Sequence, residues 1–258
     1  MSTATEPCRH VTGVRPGGTE VVVSAGSAGA HPTLSLRSGL LAPRLLGTSP
    51  GVARVALVAT TATLLGGDVM ELHIRVGAGQ RLELEDIAAT VAYDGRGRGA
   101  RWSVDVGVAP GATLVWRGEP LVVADGSDVA RSLRIDVAQG GRVLMRDVVV
   151  LGRHRERGGS LRCRTSIWHD GVPLLIEDLD LAGGPGGPRE EPGVIGPHRV
   201  VETVVCLVDP VPHLEGVGGD HTLHMQLAGP GLLARRLGAG AHGSPLDATW
   251  SELSRACA

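Results

Sequence analysis

The chain has 258 residues, enough for a substantial core in one domain or for a division into two. Its 25 basic and 27 acidic side chains leave a formal net charge of −2, a balance that argues against a dedicated nucleic-acid binder. Every basic side chain is Arg and none is Lys, which excludes Schiff-base lysine chemistry and the P-loop lysine of a Walker-type nucleotidase.

Arg without Lys, 39 Gly and no Phe read most simply as the coding bias of a GC-rich genome. The four cysteines (Cys8, Cys163, Cys206, Cys257) are far apart and form no C-x-x-C pair, which fits reduced cytosolic thiols better than a disulfide framework or a zinc ribbon. The first 18 residues read as a flexible N-terminus without the apolar core of a signal peptide. The most apolar run, Val52 to Leu65, is broken by Arg54 and several threonines, so no membrane span is expected.

Short Val-, Leu- and Ile-rich runs punctuated by Gly and Pro predict strands in chain order. They fall at Thr19–Ser24, Pro32–Arg37, Ala53–Thr60, Val69–Val76, Arg81–Glu85, Trp102–Val108, Thr113–Trp116, Ser132–Val137, Val143–Leu151, Leu161–Trp168 and Leu174–Leu181. Alternation is plain in several: Leu72, Ile74 and Val76 share one face, and Leu82 and Leu84 another, at the two-residue period of a half-buried sheet. Residues 182–197 are Gly- and Pro-rich, lack apolar periodicity and read as an exposed loop within one domain. Strands follow at Arg199–Val208 and Thr222–Leu227, then two short helices at Gly231–Leu237 and Pro245–Ala256. In the second helix Leu246, Trp250 and Leu253 recur at helical spacing.

A weak repeat links these strands. Val76-x-x-Gly79-x-x-Leu82, Val108-x-x-Gly111-x-x-Leu114 and Val137-x-x-Gly140-x-x-Val143 share one pattern, with glycines about 32 and 29 residues apart, the spacing of stacked supersecondary units. Each Gly would supply the positive φ of a turn between two strands. The expected fold is mainly β, with stacked antiparallel and mixed sheets in a superhelical or two-layered arrangement and one or two short C-terminal helices.

Three carboxylates interrupt apolar sequence: Asp68 after Leu64-Leu65-Gly66-Gly67, Asp147 between Met145-Arg146 and Val148-Val149, and Glu177 after Leu174-Leu175-Ile176. An acid on an apolar strand must be paired, hydrated or neutralised, because burying it alone costs several kcal/mol. Arg146 or Arg153 could pair with them; edge exposure or a hydrophilic internal channel are the other readings. His221 and His224 on one strand would face opposite ways, Cys8-Arg9-His10 is a weak soft-metal ligand set, and no dedicated metal site is expected. No H-E-x-x-H motif is present, and the strings Gly47-Thr48-Ser49-Pro50-Gly51 and Gly238-Ala239-Gly240-Ala241-His242-Gly243 match G-x-S-x-G and G-x-G-x-x-G by letter without being read as a nucleophile elbow or a dinucleotide-binding turn. Asp147 with Glu177 would make a glycosidase pair on a β-solenoid if they converged in an open groove roughly 5–9.5 Å apart, but the four Trp form no sugar-stacking cluster. A purely structural β scaffold with every acid paired to Arg is the third reading.

Four segments resemble the UreD (UreH) family of urease accessory proteins. They are Leu64-Leu65-Gly66-Gly67-Asp68 leading into Leu72 to Gly79, Ala88-Ala89-Thr90-Val91-Ala92-Tyr93, Gly111-Ala112-Thr113-Leu114-Val115-Trp116, and Asp147 to Leu181 with its Leu151-Gly152-Arg153 and Asp170-Gly171-x-Pro173-Leu174-Leu175 signatures. The chain departs from the family pattern at Val91, Arg117-Gly118-Glu119-Pro120 and Gly158-Gly159. The resemblance implies a non-enzymatic cytoplasmic scaffold that joins UreF and the GTPase UreG on the urease apoprotein, assembles as a dimer through UreF, binds no nucleic acid or membrane, and holds no permanent cofactor. Nickel(II) would be transient cargo, moving through a passage in segments that contain Asp68, Thr90, Asp147 and Glu177. The two apolar strands of the Asp147–Leu181 stretch, Val148 to Leu151 and the one after Asp170-Gly171 that carries Glu177, are then expected to bring Asp147 and Glu177 toward a shared polar interior, with Gly152-Arg153 and Gly158-Gly159 outside.

Overall fold

The computed structural model describes residues 17–27, 31–184, 186–212, 214, 222–241 and 244–257. Cys8, His10 and His221 lie outside the described residues, as does most of the expected N-terminal segment. Two sheets face each other. The first holds β1 (Thr19–Ser24), β2 (Thr33–Arg37), β5 (Val69–Val76), β8 (Ala100–Val108), β11 (Asp128–Val137), β13 (Ser160–His169) and β14 (Val172–Asp180). The second holds β3 (Leu41–Ser49), β4 (Val52–Ala59), β6 (Arg81–Asp86), β7 (Thr90–Ala92), β9 (Thr113–Arg117), β10 (Leu121–Val123), β12 (Arg142–Leu151), β15 (Val200–Leu207), β16 (Thr222–Gln226) and β17 (Leu232–Gly238).

From β4 to β13 the chain winds back and forth between the sheets. Neighbours within each sheet are parallel, as β5, β8, β11 and β13 are in the first and β4, β6, β9 and β12 in the second. The result is a solenoid-like coil capped at both ends by antiparallel strands, β2 and β3 at one end and β14 to β17 at the other.

The repeat of the sequence is the corner of this coil. Gly79, Gly111 and Gly140 have φ of 68°, 66° and 70°, a conformation that glycine enters without steric penalty. Successive corners are tied together by Gly79 N–H to Pro110 O, Thr113 N–H to Gln80 O and Arg142 N–H to Ala112 O. The flanking Val76, Val108, Val137, Leu82, Leu114 and Val143 all point into the main core between the sheets. The Gly66-Gly67-Asp68 turn is equally constrained: a Cβ on Gly66 would lie 2.5 Å from Gly95 O, Gly67 has φ of 96°, and Asp68 Oδ2 accepts the Leu65 N–H at 2.9 Å.

Three expectations are corrected. Residues 231–237 form strand β17 rather than a helix, because pairing on both sides with β15 and β16 outweighs the helical propensity of Leu-Leu-Ala-Arg-Arg-Leu. The only α-helix among the described residues is α1 (Leu246–Ala256), and none is long and apolar enough to cross a membrane. The glycines of the 152–159 turn are not outside. Gly152, Gly158 and Gly159 are buried and packed backbone to backbone, while Arg153, His154 and Arg155 form the exposed tip. Loop 182–197 also reaches inward: Arg189 is 7% exposed and donates to the carbonyls of Gly158 and Gly159.

A second, smaller core lies on the outer face of the second sheet, under α1. Leu144, Val204, Cys206, Leu232 and Ala234 meet Leu246 and Leu253 there. Glu202, 1% exposed, sits beside it and accepts hydrogen bonds from Arg146 Nε at 2.8 Å and from the Ser244 hydroxyl, with Arg236 at 3.7 Å. Ser244 Oγ in turn accepts the Leu246 N–H at the helix start.

Candidate functional site

Strand periodicity places a set of polar side chains on rows that otherwise face the apolar interior. On β12 the inward row is Val143, Met145, Asp147, Val149 and Leu151; on β11 it is Val129, Arg131, Leu133, Ile135 and Val137. Arg131 Nη1 donates to both Asp147 oxygens, at 2.7 and 2.8 Å, and its guanidinium lies 4.5 Å from the centre of the Trp102 ring. Arg131 is buried, at 8% exposed, while the Asp147 side chain keeps 29% exposure, so the cation is the desolvated member of the pair.

At the capped end the pattern is repeated. Glu177 lies on the β14 row of Leu175 and Leu179, opposite Thr165 of β13. Arg235 of β17 grips it at 2.5 and 2.8 Å, and donates from Nε to Thr203 Oγ1 at 3.1 Å. Thr203 is directly opposite Asp147 in the β12–β15 ladder. Cys163 lies between the two pairs, within electrostatic reach of Arg131, Asp147 and Glu177; burial pushes its thiol up to about 11. Arg131, Asp147, Cys163, Arg235 and Glu177 thus form one charge layer between the sheets, two cations against two anions.

Thr90 lies elsewhere, at the start of β7, where it lines a cavity of about 250 Å³ together with Asp86, Tyr93, Trp102 and Trp116. This cavity reaches the charge layer through Trp102, whose ring carries Arg131. Asp86 accepts the Glu119 N–H at 3.1 Å and the Trp116 indole N–H at 3.3 Å, yet burial raises its carboxyl to about 6. The folded state therefore favours protonated Asp86, and the stability linked to this group is present below about pH 4 and is lost as pH rises to about 6. Trp116 fluorescence is expected to titrate with a midpoint near 6, and Asp86→Asn to abolish that transition. Asp68 stays apart, its side chain spent on the Leu65 turn.

The sequence-based pairing of these acids with Arg146 or Arg153 is wrong for a simple reason. Arg146 is adjacent to Asp147 and so points to the opposite face of the strand, where it meets Glu202, while Arg153 pairs with Glu156 in the exposed tip. Asp86, Arg131, Cys163, Thr203 and Arg235 were not singled out by the sequence reading. Arg131 did carry a signal, as the one charge in the alternating apolar row Val129-x-x-x-Leu133-x-Ile135-x-Val137.

Both oxygens of Asp147 and of Glu177 are held by guanidinium, so neither acid is poised to protonate a glycosidic leaving group. Among the described residues no three His, Cys, Asp or Glu side chains are grouped to hold a metal ion. Fold and site together define a β-coil scaffold with a neutralised charge layer in its interior.

The chain belongs to the UreD family of urease accessory proteins: the family model described as UreD urease accessory protein matches residues 37–249. It is 42% identical to urease accessory protein UreD 1 of Streptomyces griseus over 93% of this chain and 89% of that protein. It is 35% identical to urease accessory protein UreD of Streptomyces coelicolor over 86% of this chain and 89% of that protein, and 37% identical to the Streptomyces avermitilis protein of the same name over 77% and 84%. The family is one of accessory proteins rather than enzymes.

Proposed function

We propose that the chain is a cytoplasmic maturation factor that joins UreF and UreG on the urease apoprotein and assists delivery of nickel(II), with Asp147 and Glu177 as stations in its interior. The observation that carries this reading is the charge layer itself. Two carboxylates on otherwise apolar inward rows are costly to bury, and an apolar pair of the same size would serve packing as well or better. Their presence on these rows is accounted for by cargo that needs oxygen ligands.

The balance of charge then governs how an ion moves. At rest the layer is neutral, so an arriving dication is drawn to a carboxylate only as its arginine turns aside. An exchange of partners of this kind keeps the ion from settling, because each station offers few ligands and a competing cation, the compromise that conduction pathways make. A dense cluster of imidazoles or thiolates would hold nickel too tightly to release it. The cavity lined by Thr90 and Asp86 adjoins Trp102, which supports reading it as a continuation of the route, with Asp68 near its start.

The test is co-purification of the chain with UreF and apo-urease from the same genome, followed by nickel-dependent activation. The expected result is a complex containing the chain and higher urease activity than without it. Failure of both the interaction and the activation would overturn the proposal.

A further inference from the structure

A feature unconnected with the interior layer lies in the second core, on the outer face of the second sheet. Cys206 of β15 and Cys257, which caps the C-terminus of α1, place their sulfurs 3.7 Å apart, and both residues are fully buried. The two are 51 positions apart in the chain and come together only because α1 lies across the sheet. We infer that Cys206 and Cys257 are a redox-closable clamp that staples α1 to the second sheet.

The local geometry favours closure. A disulfide needs sulfurs at about 2.05 Å, so they must approach by roughly 1.7 Å. The Cys257 backbone lies at the helix end, with φ of −95° and ψ of 2°, and is not fixed by a strand ladder. Its carbonyl is held by Arg81 Nη1, which keeps the last turn against the sheet in register with Cys206. The third described thiol, Cys163, faces the interior between the sheets and cannot compete for either partner.

The two thiols have distinct roles. The hydrogen bond from Cys206 and the positive charges of Arg81 and Arg142 lower the Cys257 thiol, whereas the hydrogen bond to Cys257 and burial raise that of Cys206. Cys257 is the nucleophile. As the last turn of α1 frays, its thiolate attacks a low-molecular-weight disulfide, RSSR, and one RSH leaves. Cys206 then attacks the mixed disulfide and expels the second RSH. Two S–H bonds are lost, one S–S bond forms, and the two electrons and two protons end on the two RSH molecules.

What the clamp controls follows from what α1 covers. Only Leu246, Thr249 and Leu253 of the helix are buried, so reduced α1 is held by a small contact and is among the parts of the fold that open most readily. Oxidation would fix it over Leu144, Val204 and the Glu202 network. Reduction would leave the outer face of the sheet free to be uncovered.

The experiment treats the 258-residue chain with oxidised glutathione, then alkylates under denaturing conditions and maps the peptides by mass spectrometry. The expected result is one cross-linked peptide joining Cys206 to Cys257, loss of two of the four free thiols, and slower protease cleavage within 246–256 that dithiothreitol reverses. Cys163→Ser should leave the cross-link unchanged, and Cys257→Ser should remove it and the protection together. Retention of all four thiols after prolonged oxidation, or pairing that uses Cys163 or Cys8 instead, would overturn the inference.

Discussion

Asp147→Ala is expected to destabilise the fold by about 3–5 kcal/mol, the cost of leaving a buried charge without its partner. Arg131 is 8% exposed and has no second carboxylate bonded to it, so its guanidinium would be left against the Trp102 ring and the Cys163 thiol with no bonded anion. That is a large part of the 5–15 kcal/mol that holds a domain folded. The double change Arg131→Met with Asp147→Leu removes both charges and fills the same space; it should recover most of the loss, since a buried ion pair contributes little net stability against a packed apolar pair. Urea denaturation of the single and double variants measures this directly. Equal losses in the two would show that the pair is not the stabilising unit.

Glu202→Ala should cost a similar amount, about 3–5 kcal/mol, by a different route. Glu202 accepts from Arg146 and Ser244 and faces Arg236, so its removal takes the buried anion from two guanidinium groups, leaving Arg146 with the exposed Asp247 at 3.7 Å and Arg236 with the Gly240 carbonyl, and frees the serine that holds the start of α1. The loss should therefore include the helix. Amide exchange in residues 246–256 is expected to rise well beyond that in β12 and β15, whereas Asp147→Ala should loosen the interior strands first. Uniform exchange in both variants would contradict this division into two polar networks on opposite faces.

The coil was legible because its corners obey local rules. Positive φ at Gly79, Gly111 and Gly140 and the apolar residues three positions to either side are properties of short segments, and they mark one corner per coil. Strand β3 was not legible: it contains Pro43 and has a bulge between Leu45 and Gly47, and as an edge strand it needs only one set of partners and shows no alternation. The three-residue strands β7 and β10 are fixed by each other and by β12 rather than by their own sequence.

The site was legible by half. Asp147 and Glu177 stand out as charges in apolar runs, which local sequence reports. Their arginines lie 16 and 58 positions away, so finding them requires the register of the coil and the return of β17 across β15. Asp86 was hidden for another reason. The expected strand stops at Glu85, whereas β6 continues to Asp86, which extends the inward row of Leu82 and Leu84 and so reaches Trp116.

The most direct measurement of the central claim is nickel content per urease active site after maturation with the Asp147→Asn, Glu177→Gln variant. Asn and Gln keep the shape and one acceptor oxygen for Arg131 and Arg235 while removing both negative charges. Thermal melting and UreF co-purification confirm that the scaffold and its contacts persist. A several-fold fall in nickel loading is expected, with UreF binding retained. Loading equal to that of the unmodified chain, in a folded variant that still binds UreF, would contradict the assignment of Asp147 and Glu177 to the path of the ion.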